Sequence, residues 1–500
     1  MKGRNAYILL LLLLALMFVL ANGMHVINYP PRAVHQWRQS DGLAYAQNYY
    51  SKNLPFFKPA FYNLVSTGAR SISELPILYY VSAQLYRIFG FHYWVLRGLS
   101  FLIYLCGLVF LLKTIRIYVK DALLSVFPVI ILASTPYFYY YALNTLPNVP
   151  AISLSFVGLY YCLRYMEKGS ARYWVFSFLC LFVSSLLKPT DGGLLWVALG
   201  AVYFFYYLQG RNRSKRSLGL FLAFALLCIA IYAWYKYASW YNAINNNVLN
   251  LLGVYPIWTM DALDIRLTIN ERILNLWLDS YQHIAILIAV VPLLLLYFIK
   301  WKQLQPFLRS LFLFILLGTV AYNILWFKAY GDHDYYQLVN VIMPTFLCIT
   351  MAEYYERVLM PRASAKVRWA IQAVLLLAIF TSLLHNRFLQ NYRFSNPTFV
   401  YINPNVYTAQ PFLKQVGISE LDTIVSVPDP TPNISLTAFW RMGYTANLFG
   451  ENNFTIAHCK EMGARYMIIT DSNYIHNKNF EPYTGKLLGV YKGIYAYDLR

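Results

Sequence analysis

Charge is scarce in this chain. Asp, Glu, Lys and Arg make up 12% of the 500 residues, about half the share of a soluble globular protein. Acids are the rarer sign, 21 against 41 basic residues. Cysteine is rarer still. Five of the six (Cys106, Cys162, Cys180, Cys228 and Cys348) lie in apolar runs and only Cys459 lies in the polar C-terminal stretch. That spacing excludes a disulfide framework and a paired-cysteine metal site. No Gly-rich phosphate loop, internal repeat or low-complexity tract is found.

What is abundant is apolar sequence, 59% of the chain. It comes in blocks near the ~20 residues a helix needs to cross the hydrocarbon core. Blocks start near Tyr7, Tyr93, Ala122, Val149, Trp174, Gly192, Leu218, Tyr281, Ser310, Tyr335 and Trp369. The chain therefore reads as an all-α polytopic membrane protein of about eleven transmembrane helices, residues 1–384, followed by a small soluble α/β domain, residues 385–500. Pro128 and Pro136 interrupt the third block. Such a break is tolerated when neighbouring helices satisfy the freed carbonyls. The first block is long for a signal peptide, and Asn22-Gly23-Met24 is a poor cleavage site, so it reads as an uncleaved helix.

The net charge of +20 does not point to nucleic acid. After His385, ten Lys and Arg face eight Asp and Glu, so the surplus lies in the membrane part. It gathers in alternate loops: Lys113, Arg116 and Lys120; Arg164, Lys168 and Arg172; Arg211, Arg213, Lys215 and Arg216; Lys300, Lys302 and Arg309; Arg357, Arg362, Lys366 and Arg368. Together with Lys2 and Arg4 these mark the cytoplasmic side. The expectation is a multi-pass inner (plasma) membrane protein with a cytoplasmic N-terminus and an extracytoplasmic C-terminal domain. The opposite side holds two long loops, 24–92 and 237–280, and acids that include Asp41, Glu74, Asp191, Asp332 and Asp334. Tyr and Trp crowd the same borders, the composition of an interfacial belt.

In the tail, Thr423–Val427 and Tyr466–Thr470 read as strands and Leu487–Leu499 as a hairpin. Tyr407–Val416 and Leu436–Arg441 read as helices. Sequons stand at Asn433 and Asn453. The first long loop is the most informative stretch. Ser40 can cap a helix that carries Asp41 in its first turn. Leu43, Ala44, Ala46 and Tyr50 would let that helix lie flat on the membrane. Ser73-Glu74-Leu75-Pro76 opens a second juxtamembrane helix, Ile77–Phe89, with proline in its first turn. Arg97 in the next block would cost about 2.5–3.5 kcal/mol unpaired at a helix centre, so it should pair with Glu74 or with phosphate.

Several residues admit two readings at this point. Asp41 and Glu74 are either helix N-terminal acids or functional carboxylates. Lys188 either snorkels to an interface or binds an anion. His333 beside Asp334 is either an ordinary loop histidine or a metal ligand.

This layout resembles the lipid-linked-sugar glycosyltransferases of the GT-C fold, and most nearly family 39, which contains the protein O-mannosyltransferases and the lipid A aminoarabinose transferases. The resemblance covers about residues 1–346 and rests on scattered residues. Asp41 matches the family's first-loop acid. Glu74 matches its Glu-Lys-Pro-type motif, with Leu75 in place of Lys. Lys188-Pro189-Thr190 resembles the lysine after the fifth span, and His333-Asp334-Tyr335-Tyr336 a His-x-Tyr-Tyr entry to a late span. Two departures stand out: Gly42 follows Asp41 where the family often has a second acid, and Asn148 stands where an acid is usual.

The resemblance implies transfer of a sugar from a polyprenyl-phosphate donor to a protein, lipid or glycan acceptor. Phosphate leaves as a stable anion, so one carboxylate suffices, unlike the pair that glycoside hydrolases use. Asp41 is the candidate base, and inversion is the expected outcome. Arg38, Arg97 and Lys188 are candidates for the donor phosphate. Glu74 is a candidate acceptor or metal contact, and His333, Asp334, Tyr335 and Tyr336 are candidate substrate contacts. No cofactor is certain; a divalent ion would suit a phosphate donor, and its ligands are unknown. The rival readings are an envelope polysaccharide polymerase or ligase using pyrophosphate-linked donors, and a transporter. A transporter would usually show repeat halves and broken helices at the midplane, and neither pattern is evident.

Overall fold

The computed structural model describes residues 2–210, 214–249, 253–331, 333–446 and 455–500. Arg211, Arg213, Asp332 and the sequon at Asn453 lie outside the described residues. The chain runs through α1 (Lys2–Leu20), a single turn α2 (Gly23–Val26), α3 (Gln36–Ser51), α4 (Ile77–Phe89), α5 (Tyr93–Tyr118), α6 (Ala122–Ala133) and α7 (Pro136–Ala142). It continues through α8 (Asn148–Lys168), α9 (Ala171–Leu187), α10 (Pro189–Leu208), α11 (Lys215–Ile244), α12 (Ala262–Leu267), α13 (Ile284–Ile299), α14 (Pro306–Leu325), α15 (Ile342–Tyr354) and α16 (Ala365–Ser395). The C-terminal part adds α17 (Gln410–Gln415), β1 (Ile424–Val427), α18 (Ile434–Phe439), β2 (Gly443–Thr445), α19 (Ile456–Glu461), β3 (Tyr466–Ile469), β4 (Leu487–Tyr491) and β5 (Ile494–Asp498).

Each apolar block read from the sequence is helical. Among the described residues, six helices are long and apolar enough to cross a membrane: α5, α10, α11, α14, α16 and the run Asp334–Arg362 that contains α15. α6 and α7 make a seventh if the pair, bent by 71°, is one span. The apolar stretch Arg4–Leu20, α9 and α13 are shorter.

Two compact units emerge. The first comprises Met1–Ile27, Arg97–Trp234 and Gly253–Asn391. It is a helical body held by small residues and hydroxyls. A Cβ on Gly158 of α8 would sit 2.6 Å from the Leu181 side chain of α9. Ser177 and Ser184 of α9 donate to the carbonyls of Gly158 (2.9 Å) and Ala151 (2.6 Å) on α8. Close approach and interhelical hydroxyl bonds replace the hydrophobic drive that lipid removes. The α6–α7 break is served the same way. Tyr104 donates to Ala133 O at 3.0 Å, Gln282 to Ile131 O at 3.1 Å and Gln390 to Pro136 O at 2.7 Å.

The second unit comprises Asn28–Leu96, Tyr235–Leu252 and Tyr392–Arg500. The first long loop and the tail therefore belong to one body. Its sheet has the order β2-β1-β3-β5-β4. β1 pairs parallel with β2 and β3, and β5 pairs antiparallel with β3 and β4. Val425, Val427, Met467 and Ile469 bury against Ile456 and Cys459. The sheet takes in the first loop at its edge: Gly443 N–H donates to Tyr62 O (3.0 Å) and Leu64 N–H to Gly443 O (2.8 Å). Gly443 is required there, because an added Cβ would lie 1.9 Å from Ile424 O.

The expected strands and hairpin are present; the helix expected over Tyr407–Val416 is shortened to α17, and the one expected over Leu436–Arg441 is of equal length but starts two residues earlier, as α18. β2 and α19 are additions. The largest local difference lies in α3. It starts at Gln36, after His35 in the left-handed region at φ 54°. Ser40 is not its cap; its hydroxyl donates to Gln36 O at 3.0 Å, the back-bond a serine makes inside a helix. Asp41 therefore lies in the second turn. Nor does α3 present one apolar side to a membrane. It is buried almost all round, polar Gln39, Gln47 and Asn48 included, and it packs on α4 and α18.

Candidate active site

Arg38 and Asp41 stand one turn apart on α3, a spacing that puts side chains on one helical face. Glu74 comes to the same place from the segment ahead of α4. Its carboxylate pairs with the Arg38 guanidinium and accepts from the Ser73 hydroxyl and, at 3.1 Å, from the Tyr79 hydroxyl. Glu74 is 5% exposed and Asp41 6%. A buried ion pair stays ionised when its remaining lone pairs find donors, and Ser73 and Tyr79 supply them.

Asp41 is treated differently. Its Oδ1 is buried and receives no hydrogen bond. Burial pushes its carboxyl up to about 7; Arg38 pulls it down, Glu74 pushes it up and the Asn433 side chain pulls it down. An acid in that range exchanges its proton near neutrality, the property a general base needs.

The other sequence-selected residues lie in the helical unit. Lys188 sits at the α9–α10 junction with its ammonium 4.5 Å from the centre of the Tyr336 ring and 6.0 Å from that of Tyr335. His333, Tyr335 and Tyr336 stack on one another with ring centres 5.2–5.8 Å apart. The Tyr141 hydroxyl donates to Asp334. Lys188, His333, Asp334, Tyr335 and Tyr336 thus form one neighbourhood, a cation beside an aromatic wall. Arg97 is 1% exposed and donates to Leu143 O at 2.6 Å, so it is partnered, as the cost of a lone buried guanidinium requires.

Two residues that sequence reading did not select stand out. Asp191, wholly buried, accepts from Asn148 at 3.1 Å and Thr190 at 3.0 Å. The Asn148 amide also reaches Tyr335 O at 3.4 Å. The Asn148 amide thus holds the neighbouring Asp191 carboxylate. Asp191 was visible only as one of the outside acids. Asn433 had no signal beyond a sequon. Among the described residues, no group of three or more His, Cys, Asp and Glu is placed to hold a metal ion.

The chain has the GT-C fold, shared along its length with ArnT. Residues 73–235 match the model of a family described as dolichyl-phosphate-mannose-protein mannosyltransferase. The chain is similar to ArnT from Cupriavidus metallidurans in the apo state, at 12% identity and TM-score 0.64 over 98% of this chain and 97% of that one. It is equally similar to the same enzyme bound to undecaprenyl phosphate, at 11% identity and TM-score 0.63 over 98% of both chains. The oligosaccharyltransferase of Archaeoglobus fulgidus matches at 11% identity and TM-score 0.53, over 95% of this chain and 71% of that one. No curated protein matches in sequence.

Proposed function

We propose that this protein is a membrane glycosyltransferase that moves a sugar from a polyprenyl-phosphate donor to an extracytoplasmic acceptor, with Asp41 as the base. The observation that carries this reading is Asp41 itself, a buried carboxyl poised near neutrality beside the Arg38–Glu74 pair. It stands on a fold shared along the whole chain with an enzyme solved with undecaprenyl phosphate.

In the proposed step an acceptor hydroxyl attacks the anomeric carbon as the bond from that carbon to the phosphate oxygen breaks. The phosphate leaves with the bonding electrons. The hydroxyl proton passes to Asp41, and the anomeric configuration inverts. The anion needs a cation as its charge grows. Arg38, Arg97 and Lys188 are the candidates, each to be tested singly. Tyr335, Tyr336 and His333 offer rings on which a sugar or prenyl segment can rest. The basic loops support a cytoplasmic N-terminus, and with it an extracytoplasmic Asp41 and tail.

The test uses membranes containing the protein and a labelled polyprenyl-phosphate monosaccharide. Label should leave the lipid with wild type and stay on it with Asp41→Asn at equal expression. Full transfer by Asp41→Asn refutes the base assignment. Transfer only from a pyrophosphate-linked oligosaccharide favours a polymerase or ligase, and solute uptake without transfer favours a transporter.

A further inference from the structure

Asn433 belongs to the C-terminal stretch, 392 positions from Asp41. We propose that Asn433 is a positioning residue for Asp41, its side-chain amide turned by the Tyr62 backbone so that Nδ2 faces the carboxylate and holds it ready to take a proton. The inference rests on the reading of Asp41 as the base.

Four observations lead here. First, Asn433 is wholly buried, so its sequon is not a modification site in the folded protein. Second, it stands at the cap position of α18 but makes no side-chain cap bond. That work is done by others: Ser435 N–H donates to Asp429 at 2.8 Å and Ile434 N–H to the Thr431 hydroxyl at 3.2 Å. The ordinary reason for an asparagine at a helix start is thus absent. Third, Tyr62 N–H donates to Asn433 Oδ1 at 3.3 Å. Of the two ends of an amide only the oxygen can accept from a backbone N–H, so the amide has one orientation and Nδ2 points the other way.

Fourth, α18 packs on α3. Nδ2 there is buried without an acceptor in bonding geometry, and Asp41 Oδ1 is buried without a donor. An amide donor and a carboxylate acceptor, each left unmade in one packed layer, are complementary. Leaving such groups unpaired in a core is costly, and a catalytic role is one reason for it. The amide already draws the Asp41 carboxyl downward, against burial.

Arg38 lies on the helix of Asp41, and Glu74 and Tyr79 come with α4. On the C-terminal side, Asp429 is occupied by the backbone and hydroxyl donors of Thr431 and Ser435. Tyr407 accepts from Gln36. Asn433 is the group on that side whose side chain draws the Asp41 carboxyl down.

The experiment measures transfer from a labelled polyprenyl-phosphate sugar across pH, with purified wild type, Asn433→Ala, Asn433→Asp and Asp41→Asn. Loss of the amide should leave the high-pH plateau near wild type and move the acidic limb up by about one unit, a roughly tenfold loss on its steep part. Asn433→Asp keeps the oxygen toward Tyr62 and adds a like charge, so its limb should move further. An unmoved limb in both variants overturns the inference, as does an equal loss at every pH. If neither variant folds, the role is structural and the inference falls. An active Asp41→Asn refutes the base assignment instead, whatever the Asn433 variants do.

Discussion

Replacing Asp41 by Asn should abolish transfer and yet make the protein more stable at alkaline pH. The folded-state carboxyl lies at about 7 against an ordinary 3.8, with burial as the largest cause. The folded protein therefore holds the proton more tightly than the unfolded chain, and stability falls as pH rises from the lower value to the upper. At about 1.4 kcal/mol per unit, the full penalty above neutrality is on the order of 4 kcal/mol. Part of it is already present at about pH 5, so between about pH 5 and about pH 8 the wild type should lose roughly 2–3 kcal/mol that Asp41→Asn does not. Costs of the new amide that do not depend on pH cancel in that double difference. The assay is thermal unfolding of both proteins in one detergent at the two pH values. The gap in Tm should move by several degrees in favour of the variant at the higher pH. A gap that stays constant, or moves the other way, would mean that Asp41 is not held as a strained, poised acid, and the case for a general base would fail with it.

Other outcomes follow from the same contacts. Glu74→Gln removes a negative neighbour from Asp41 and loosens the hold on Arg38. Both changes favour the ionised carboxylate, so the acidic limb of the transfer rate should move to lower pH. Glu74→Ala breaks a buried ion pair and should cost about 3 kcal/mol or more in stability, read as a fall in Tm. Gln390→Leu leaves Pro136 O without its side-chain donor at the α6–α7 break and should cost about 1–3 kcal/mol, seen as faster heat inactivation in detergent. Gly443→Ala drives a Cβ into Ile424 O; the sheet edge should open, and limited proteolysis should cut in the tail.

Elements with strong local signals could be read directly from residues. The apolar blocks are helices because only a helix bonds its own backbone in lipid, and Ile77–Phe89 lies between Pro76 and Gly90 as those two residues dictate. The Lys492-Gly493 turn sits between β4 and β5 because both residues take positive φ there. Features set by distant partners were hidden. Ser40 looks like a cap, but its hydroxyl is satisfied inside the helix and the strained His35 marks the true start. β2 is three residues opening with glycine, too short for alternation to show, and it exists because β1 and the Tyr62–Leu64 segment flank it. In the site, Arg38 and Asp41 were legible as neighbours on a helical face. The Arg38–Glu74 pair, the Asn148–Asp191 bond and the approach of Asn433 were not, since each joins positions far apart in the chain.

The two carboxylates of the first loop illustrate why residue type alone could not assign roles. Glu74 and Asp41 are buried to the same degree and share one arginine. What separates them is the count of donors. Glu74 takes Arg38, Ser73 and Tyr79, whereas Asp41 keeps an oxygen that nothing serves. An acid with its lone pairs occupied is poorly suited to collect a proton from an incoming hydroxyl. One denied donors in a buried place is well suited to it, because protonation relieves the cost of its charge. If Arg38 turned from Glu74 to Asp41, the carboxylate would be stabilised and its basicity lost. Glu74 acts on Asp41 directly, by its charge, and also engages Arg38; Arg38 first and Asn433 after it pull the carboxyl down against burial. The tail that carries Asn433 thus bears on Asp41 through the carboxyl's titration as well as through the packing of its own sheet.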